Sequence, residues 1–373
     1  MNGSLLGELP ENSAALENSA CESTTVVGLV RMQAKRLGHR CAYTFLVDGE
    51  REEVHLSYAA LDLRAQTLAV LLREQGVMPG DRVVLVYPPG LEYVAAFLGC
   101  LYAGAVAVPT YPPRRNSSLK RIQGIVEDAG ATAALTTAKV QLMVATLADS
   151  EPWLKPLRWI ASDDVATRTA SGWVAPDIDG ETLALLQYTS GSTATPKGVM
   201  VTHRNLLLTL DDLDRGWKHT AESVLVSWLP MFHDMGLIYG ILQPLAKGIP
   251  CVFMPSAAFL QRPMRWLEAI SRFRGTHSGG PNFAYELCLR RTTAEQRAGL
   301  DLSCWRMALN AAEPVRADTL RRFAEGFAES GFRAAAFSPG YGLAESTLKA
   351  TAVRTEEEPT LLAVSGDSLE VGA

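Results

Sequence analysis

The stretch from Thr189 to Gly198 gathers the hydroxyls of Thr189, Ser190, Ser192 and Thr193, the glycines Gly191 and Gly198, Pro196 and the cation Lys197. Hydroxyls, unhindered backbone N–H groups and an ammonium in one short loop suit an anion, above all a phosphate. The order is not that of the G-x-x-x-x-G-K-[ST] loop, because no glycine precedes Lys197 and no hydroxyl follows it. By composition alone a polar surface turn accounts for the same residues. Three further segments carry groups with chemistry: SWLPMFHDMGL with His233, LNAAEPV with Glu313, and PGYGLAES with Tyr341, Gly342 and Glu345. Taken singly, His233 reads as a packed structural histidine and Glu313 as a solvated charge at a turn. A carboxylate after GYG at the end of an apolar strand is well placed to hold a divalent cation, and a ring beside a glycine can cover a base.

These groups need a scaffold, and the chain alternates helix and strand signals. SYAALDLRAQTLAVLLREQG has Leu61, Leu68 and Leu72 on one helical face, Ser57 as N-cap and Gly76 as terminator. DRVVLVYPPG follows as an apolar run stopped by Pro-Pro-Gly, the pattern of a strand covered on both faces. A helix near Ser117 to Ala129 leads to the strand TAALTT, and TLALLQYT runs straight into the hydroxyl-rich loop. ESVLVSWLP, IPCVFMP and RAAAFSPGYG supply later strands. The fold class is α/β with mostly parallel sheets. The polar first residues, 1–24, read as a flexible leader, and 163–181 as a surface connection near an approximate subdomain break.

With 373 residues, the chain is long enough for more than one packed unit. A formal charge of −5 provides no basic surface for nucleic acid. The six cysteines are far apart, with no C-x-x-C pair, so neither zinc nor a disulfide framework is indicated, and they read as buried thiols. Tyr93 to Pro113 is uncharged, but its glycines and prolines divide it into a buried helix and a buried strand rather than a membrane span. With no secretory signal, the expected location is the cytoplasm.

Taken together, the four segments resemble the signature motifs of the adenylate-forming enzymes, the superfamily of acyl-CoA synthetases, adenylation domains and luciferases, in the same order. The resemblance implies the large N-terminal domain of that family, two packed, mostly parallel α/β subdomains in a layered arrangement. It also implies ATP and Mg²⁺ as cofactors. Thr189, Ser190, Gly191, Ser192, Thr193 and Lys197 would embrace the phosphates. Ala311, Ala312, Glu313 and Pro314 would lie on the adenine side, with Tyr341 and Gly342 against the base. Glu345 would hold Mg²⁺, and His233 would line the junction of acyl carboxylate and nucleotide. Lys197, His233 and Glu345 are thus the expected catalytic residues.

Within the family, adenylation domains for amino acids carry an aspartate directly after the aromatic residue, where here His233 follows Phe232. An ammonium buried without a carboxylate is costly, so an amino acid substrate is disfavoured. Trp228, Phe232, His233 and Met235, with Gly279 and Gly280 giving room, are candidates for an acyl channel, and most apolar residues nearby are equally ordinary core. The segments YPPGLEYVAAFLGCLYAGAVAVPTYPPRR and TLKATAVRTEEEPTLLAVSGDSLEVG resemble the fatty acyl-AMP ligase branch. That branch implies activation of a fatty acid to an acyl-adenylate. The acyl group then passes to the phosphopantetheine thiol of an acyl carrier protein or polyketide synthase carrier domain, in lipid or polyketide biosynthesis. The family's ribose-binding aspartate and small C-terminal domain with its lysine have no counterpart after Glu345, and SGD at Ser365 to Asp367 comes too soon. The expectation is therefore a truncated N-terminal domain over 25–373. A CoA-dependent acyl or aryl synthetase and a non-catalytic acyl or nucleotide binding module are the alternatives.

Overall fold

A computed structural model describes residues 23–111, 119–163, 170–189 and 196–363. Most of the leader and the SGD segment therefore lie outside the described residues. The strands are β1 (Cys41–Leu46), β2 (Glu53–Ser57), β3 (Arg82–Val86), β4 (Val106–Thr110), β5 (Ala133–Thr136), β6 (Arg158–Ala161) and β7 (Leu183–Tyr188). They continue as β8 (Gly198–Thr202), β9 (Leu225–Ser227), β10 (Cys251–Phe253), β11 (His277–Gly280), β12 (Met307–Asn310), β13 (Phe337–Gly342) and β14 (Lys349–Ala352). They form a six-stranded sheet, β6-β5-β3-β4-β7-β8, and an eight-stranded sheet, β14-β13-β12-β11-β9-β10-β1-β2. Pairing is parallel except at β7–β8, β1–β2 and β13–β14.

Local sequence explains the elements. Ser57 caps the helix Tyr58–Glu74 by accepting from the Ala60 N–H at 3.2 Å, and Leu61, Leu68 and Leu72 are buried on its inner face. The uncharged stretch forms most of the helix Leu91–Tyr102, in which every residue but Glu92 is buried, and then the buried strand β4. Gly99 permits its close approach to the preceding helix, since a Cβ there would stand 2.6 Å from Leu68 Cβ. Among the described residues no helix is long and apolar enough to cross a membrane. Cys100, Cys251 and Cys288 are buried free thiols, whereas Cys41 is exposed and Cys304 half-buried.

The connection near 163–181, the expected place of a subdomain break, lies within one sheet. That connection joins β6 to β7, two strands of the same six-stranded sheet, and carries the chain from one edge of it to the far side of β4. The chain changes sheet twice, after β2 through the helix Tyr58–Glu74 and after β8 through the helix His203–Trp217. A polar, glycine-containing crossing looks alike in sequence whether it links strands of one sheet or two.

Candidate active site

A cavity of about 520 Å³ opens where the ends of β4 and β7 face those of β12 and β13. The chain fits the general rule that ligands bind beyond the carboxyl ends of parallel strands. One wall comes from Pro109 to Tyr111, Arg121 and Gln187 to Thr189, and the opposite wall from Leu309, Ala311, Ala312 and Gly340 to Glu345. Phe232, His233, Asp234 and Met235 line it as well.

The His233 segment is tied to the six-stranded sheet. Gln187 Nε2 donates to the Phe232 carbonyl at 3.1 Å, the Tyr93 hydroxyl to the Met231 carbonyl at 2.8 Å, and Tyr111 meets the Phe232 ring edge-on at 5.9 Å. After it the backbone enters a wide π-helical turn over Met235–Leu242, a local irregularity often found at functional sites. Gly236 is required there, because a Cβ would stand 2.0 Å from the Pro230 carbonyl oxygen. Asp234 Oδ1 lies 2.6 Å from His233 Nδ1 and accepts from the Met235 N–H, also at 2.6 Å. That hydrogen bond to Asp234 raises the His233 pKa above its ordinary value, against the opposing effect of burial. The His233 side chain is still 51% exposed, and its Nε2 has no partner among the described residues.

Tyr341 is 63% exposed at the cavity mouth. Glu345, on the short turn Ala344–Ser346, is exposed there and forms no ion pair among the described residues. Its carboxylate suits Mg²⁺, which usually takes one or two protein carboxylates and completes its shell with phosphate oxygens and water. Ala312 adopts φ of +70°, costly for a residue with a Cβ and a conformation that clusters at ligand-binding segments.

The hydroxyl-rich loop is placed only at its ends, since Ser190, Gly191, Ser192 and Thr193 lie outside the described residues. It connects β7 to the antiparallel β8, so it spans a hairpin and does not open a helix. Thr189 lines the cavity, and its carbonyl accepts from Arg121 Nη2 at 2.8 Å. Lys197 is exposed and stands outside the cavity lining. Glu313 and Pro314 are exposed and also lie away from the cavity, with Glu313 Oε1 accepting from the Phe283 N–H at 2.5 Å.

Trp228, Gly279 and Gly280, the other acyl-channel candidates, pack away from this cavity. Trp228 is 3% exposed and stacks on Phe259 at 3.9 Å, within the core. A Cβ at Gly280 would meet Trp228 Cζ2 at 2.6 Å, and one at Gly279 the Leu309 carbonyl oxygen at 2.4 Å. The room left by these glycines is occupied by neighbours, and none of the three lines the cavity. Conversely, Arg121, Trp217, Leu348 and Lys349 line it unforeseen, with Asp234 beside them. Asp234 adjoins His233 in sequence and was within reach of motif reading. The others converge only through the tertiary fold.

Residues 30–366 match the family model described as AMP-binding enzyme. The chain belongs to that family. Among curated relatives, this AMP-binding chain is 47% identical over 353 residues to the medium-chain-fatty-acid–[acyl-carrier-protein] ligase JamA of Moorena producens, covering 94% of this chain and 60% of JamA. It is 38% identical to the long-chain-fatty-acid–AMP ligase FadD32 of Mycolicibacterium smegmatis, covering 94% of this chain and 57% of that ligase. It thus spans about three fifths of the length of the curated relatives it matches. Among solved structures, a fatty acyl-adenylate ligase of Legionella pneumophila, in complex with acyl adenylate and pyrophosphate, superposes with a TM-score of 0.86 at 40% identity, covering 92% of this chain and 59% of that one.

Proposed function

We propose that this AMP-binding chain is the nucleotide- and acyl-binding part of a fatty acyl-AMP ligase. A fatty carboxylate oxygen attacks the α-phosphorus of ATP, the bond from that phosphorus to the pyrophosphate oxygen breaks, and an acyl-adenylate remains bound. The acyl carbon then passes to the phosphopantetheine thiol of an acyl carrier protein, releasing AMP. One observation carries the reading: Tyr341, Glu345, Ala312 and His233 converge on one cavity that has an apolar wall.

Each residue has a part in the chemistry. Tyr341 and Gly342 present a ring and bare backbone to the adenine, beside Ala311 and Ala312. Glu345 would hold Mg²⁺, which on binding offsets phosphate charge as pyrophosphate leaves. His233, whose protonated form the hydrogen bond to Asp234 favours, turns its Nε2 to the negative charge gathered where carboxylate meets phosphate. Thr189 to Thr193 and Lys197 supply the remaining donors to the phosphates. Asp234 also bears on substrate choice. Its Oδ1 is engaged by His233 and the Met235 N–H, which favours a fatty acid over an amino acid whose ammonium would need a carboxylate of its own. An ATP-dependent reaction with a carrier protein supports a cytoplasmic location.

The test is the mass spectrum of products from ATP, Mg²⁺ and a panel of fatty acids, for this chain and for one extended to its relatives' length. Acyl-adenylate that is passed to carrier protein and not to CoA is the expected result. Acyl-CoA would move the enzyme to the synthetase branch, and absence of any adenylate from the extended chain would leave a binding module.

A further inference from the structure

Where β13, β14 and the helix His203–Trp217 meet, Gly340, Leu348, Lys349, Thr351 and Ala352 line the cavity and form its inner wall. Trp217, the last residue of that helix, forms part of this inner wall although it is only 2% exposed. We infer that the Trp217 indole is the stop that sets the longest acyl chain the site accepts, an inference that rests on the fatty acid reading above.

A stop must be both apolar and immovable, and Trp217 is held on several sides. Its Nε1 donates to Ser338 Oγ at 3.1 Å, and Tyr239 packs edge-on against the ring with centroids 4.9 Å apart. Its carbonyl lies 2.9 Å from His277 Nε2, fixing the backbone. The Lys349 ammonium stands 5.6 Å from the ring centroid and is itself anchored by Asp212, 2.7 Å from Oδ2. With its side chain 14% exposed, Lys349 ties β14 to the helix across the indole. A flexible aliphatic side chain at the same place could turn aside for one more methylene; an indole restrained by a hydrogen bond, a ring contact and a cation cannot do so without breaking them.

The inference is tested with acyl sulfamoyl adenosines, stable mimics of the acyl-adenylate, graded from short to long chains and titrated calorimetrically. In the wild-type chain, affinity rises about fourfold per methylene until the tail reaches Trp217, and then levels or falls. Trp217→Leu moves that break to longer chains. Ser338 keeps the Val353 carbonyl as its acceptor, so no buried hydroxyl donor is stranded by this change. Since a buried tryptophan also supports folding, Ala352→Leu asks the same question by addition. Ala352 lines the cavity on β14, and extra bulk there moves the break to shorter chains while the shortest analogues bind as before. If the break stays in place in whichever variants fold, the inference is overturned with the ligase reading intact. If no acyl analogue binds the wild type more tightly than the adenosine sulfamate head alone, the acyl reading of the cavity fails first.

Discussion

His233 and Asp234 form one hydrogen-bonded pair in the lining of the cavity. The hydrogen bond to Asp234 raises the His233 pKa, so the stabilisation it provides is fully present below the ordinary imidazole value, about 6.5, and is lost as pH rises through the raised value. Asp234→Asn is expected to lower the His233 titration midpoint measured by NMR, and the basic limb of the adenylation pH profile should move the same way. An unchanged midpoint would show that Asp234 does not hold the proton. Glu345→Gln keeps the shape of the side chain but removes its charge. On the order of a 100-fold fall in adenylation rate is expected, from a pre-steady-state product assay, as for loss of one charge-stabilising group. His233, Tyr341 and Glu345 were legible because each sits in a contiguous motif whose neighbours constrain it. Trp217, Arg121 and Lys349 were not, because only the pairing of distant strands brings their segments to the cavity.

The cavity's inner wall depends on the β13–β14 hairpin, and that hairpin depends on Gly342. Its register shifts between Tyr341 and Gly342, and a Cβ at Gly342 would stand 1.8 Å from the Leu348 carbonyl oxygen. Gly342→Ala must therefore displace backbone. A loss of roughly 1–3 kcal/mol in urea unfolding is expected, typical of overpacking, together with weaker nucleotide binding. A variant with wild-type stability would mean that the hairpin yields freely. The strand before Gly342 could be read from its apolar run. Its antiparallel partner could not, since KATA carries little apolar patterning and is defined by what it pairs with. The hairpin between β7 and β8 was obscured in the same way: GVMVT reads as a lead-in to a helix until Tyr188 is seen opposite Gly198.

Across the whole molecule, three buried imidazoles tie stability to pH. Burial lowers the His203 pKa to about 4 and also depresses His219 and His277, whose rings stack 4.3 Å apart. Unfolding exposes them to protons that the folded state excludes, so their contribution to stability is fully present above about pH 6.5 and is lost as pH falls towards and through the depressed values. Denaturant midpoints measured across that range should fall with acidity, and His203→Gln should flatten the slope. The alternation of helix and strand made the α/β class legible at this scale, whereas the division between sheets was hidden by crossings that look alike within and between them. In the proposed reaction the site joins a fatty carboxylate to the α-phosphate of ATP. Its most direct test is exchange of labelled pyrophosphate into ATP, measured with and without fatty acid, on this chain and on one extended to its relatives' length. Exchange that requires both fatty acid and Glu345 is predicted; a fully extended chain that exchanges no label with any fatty acid would contradict it.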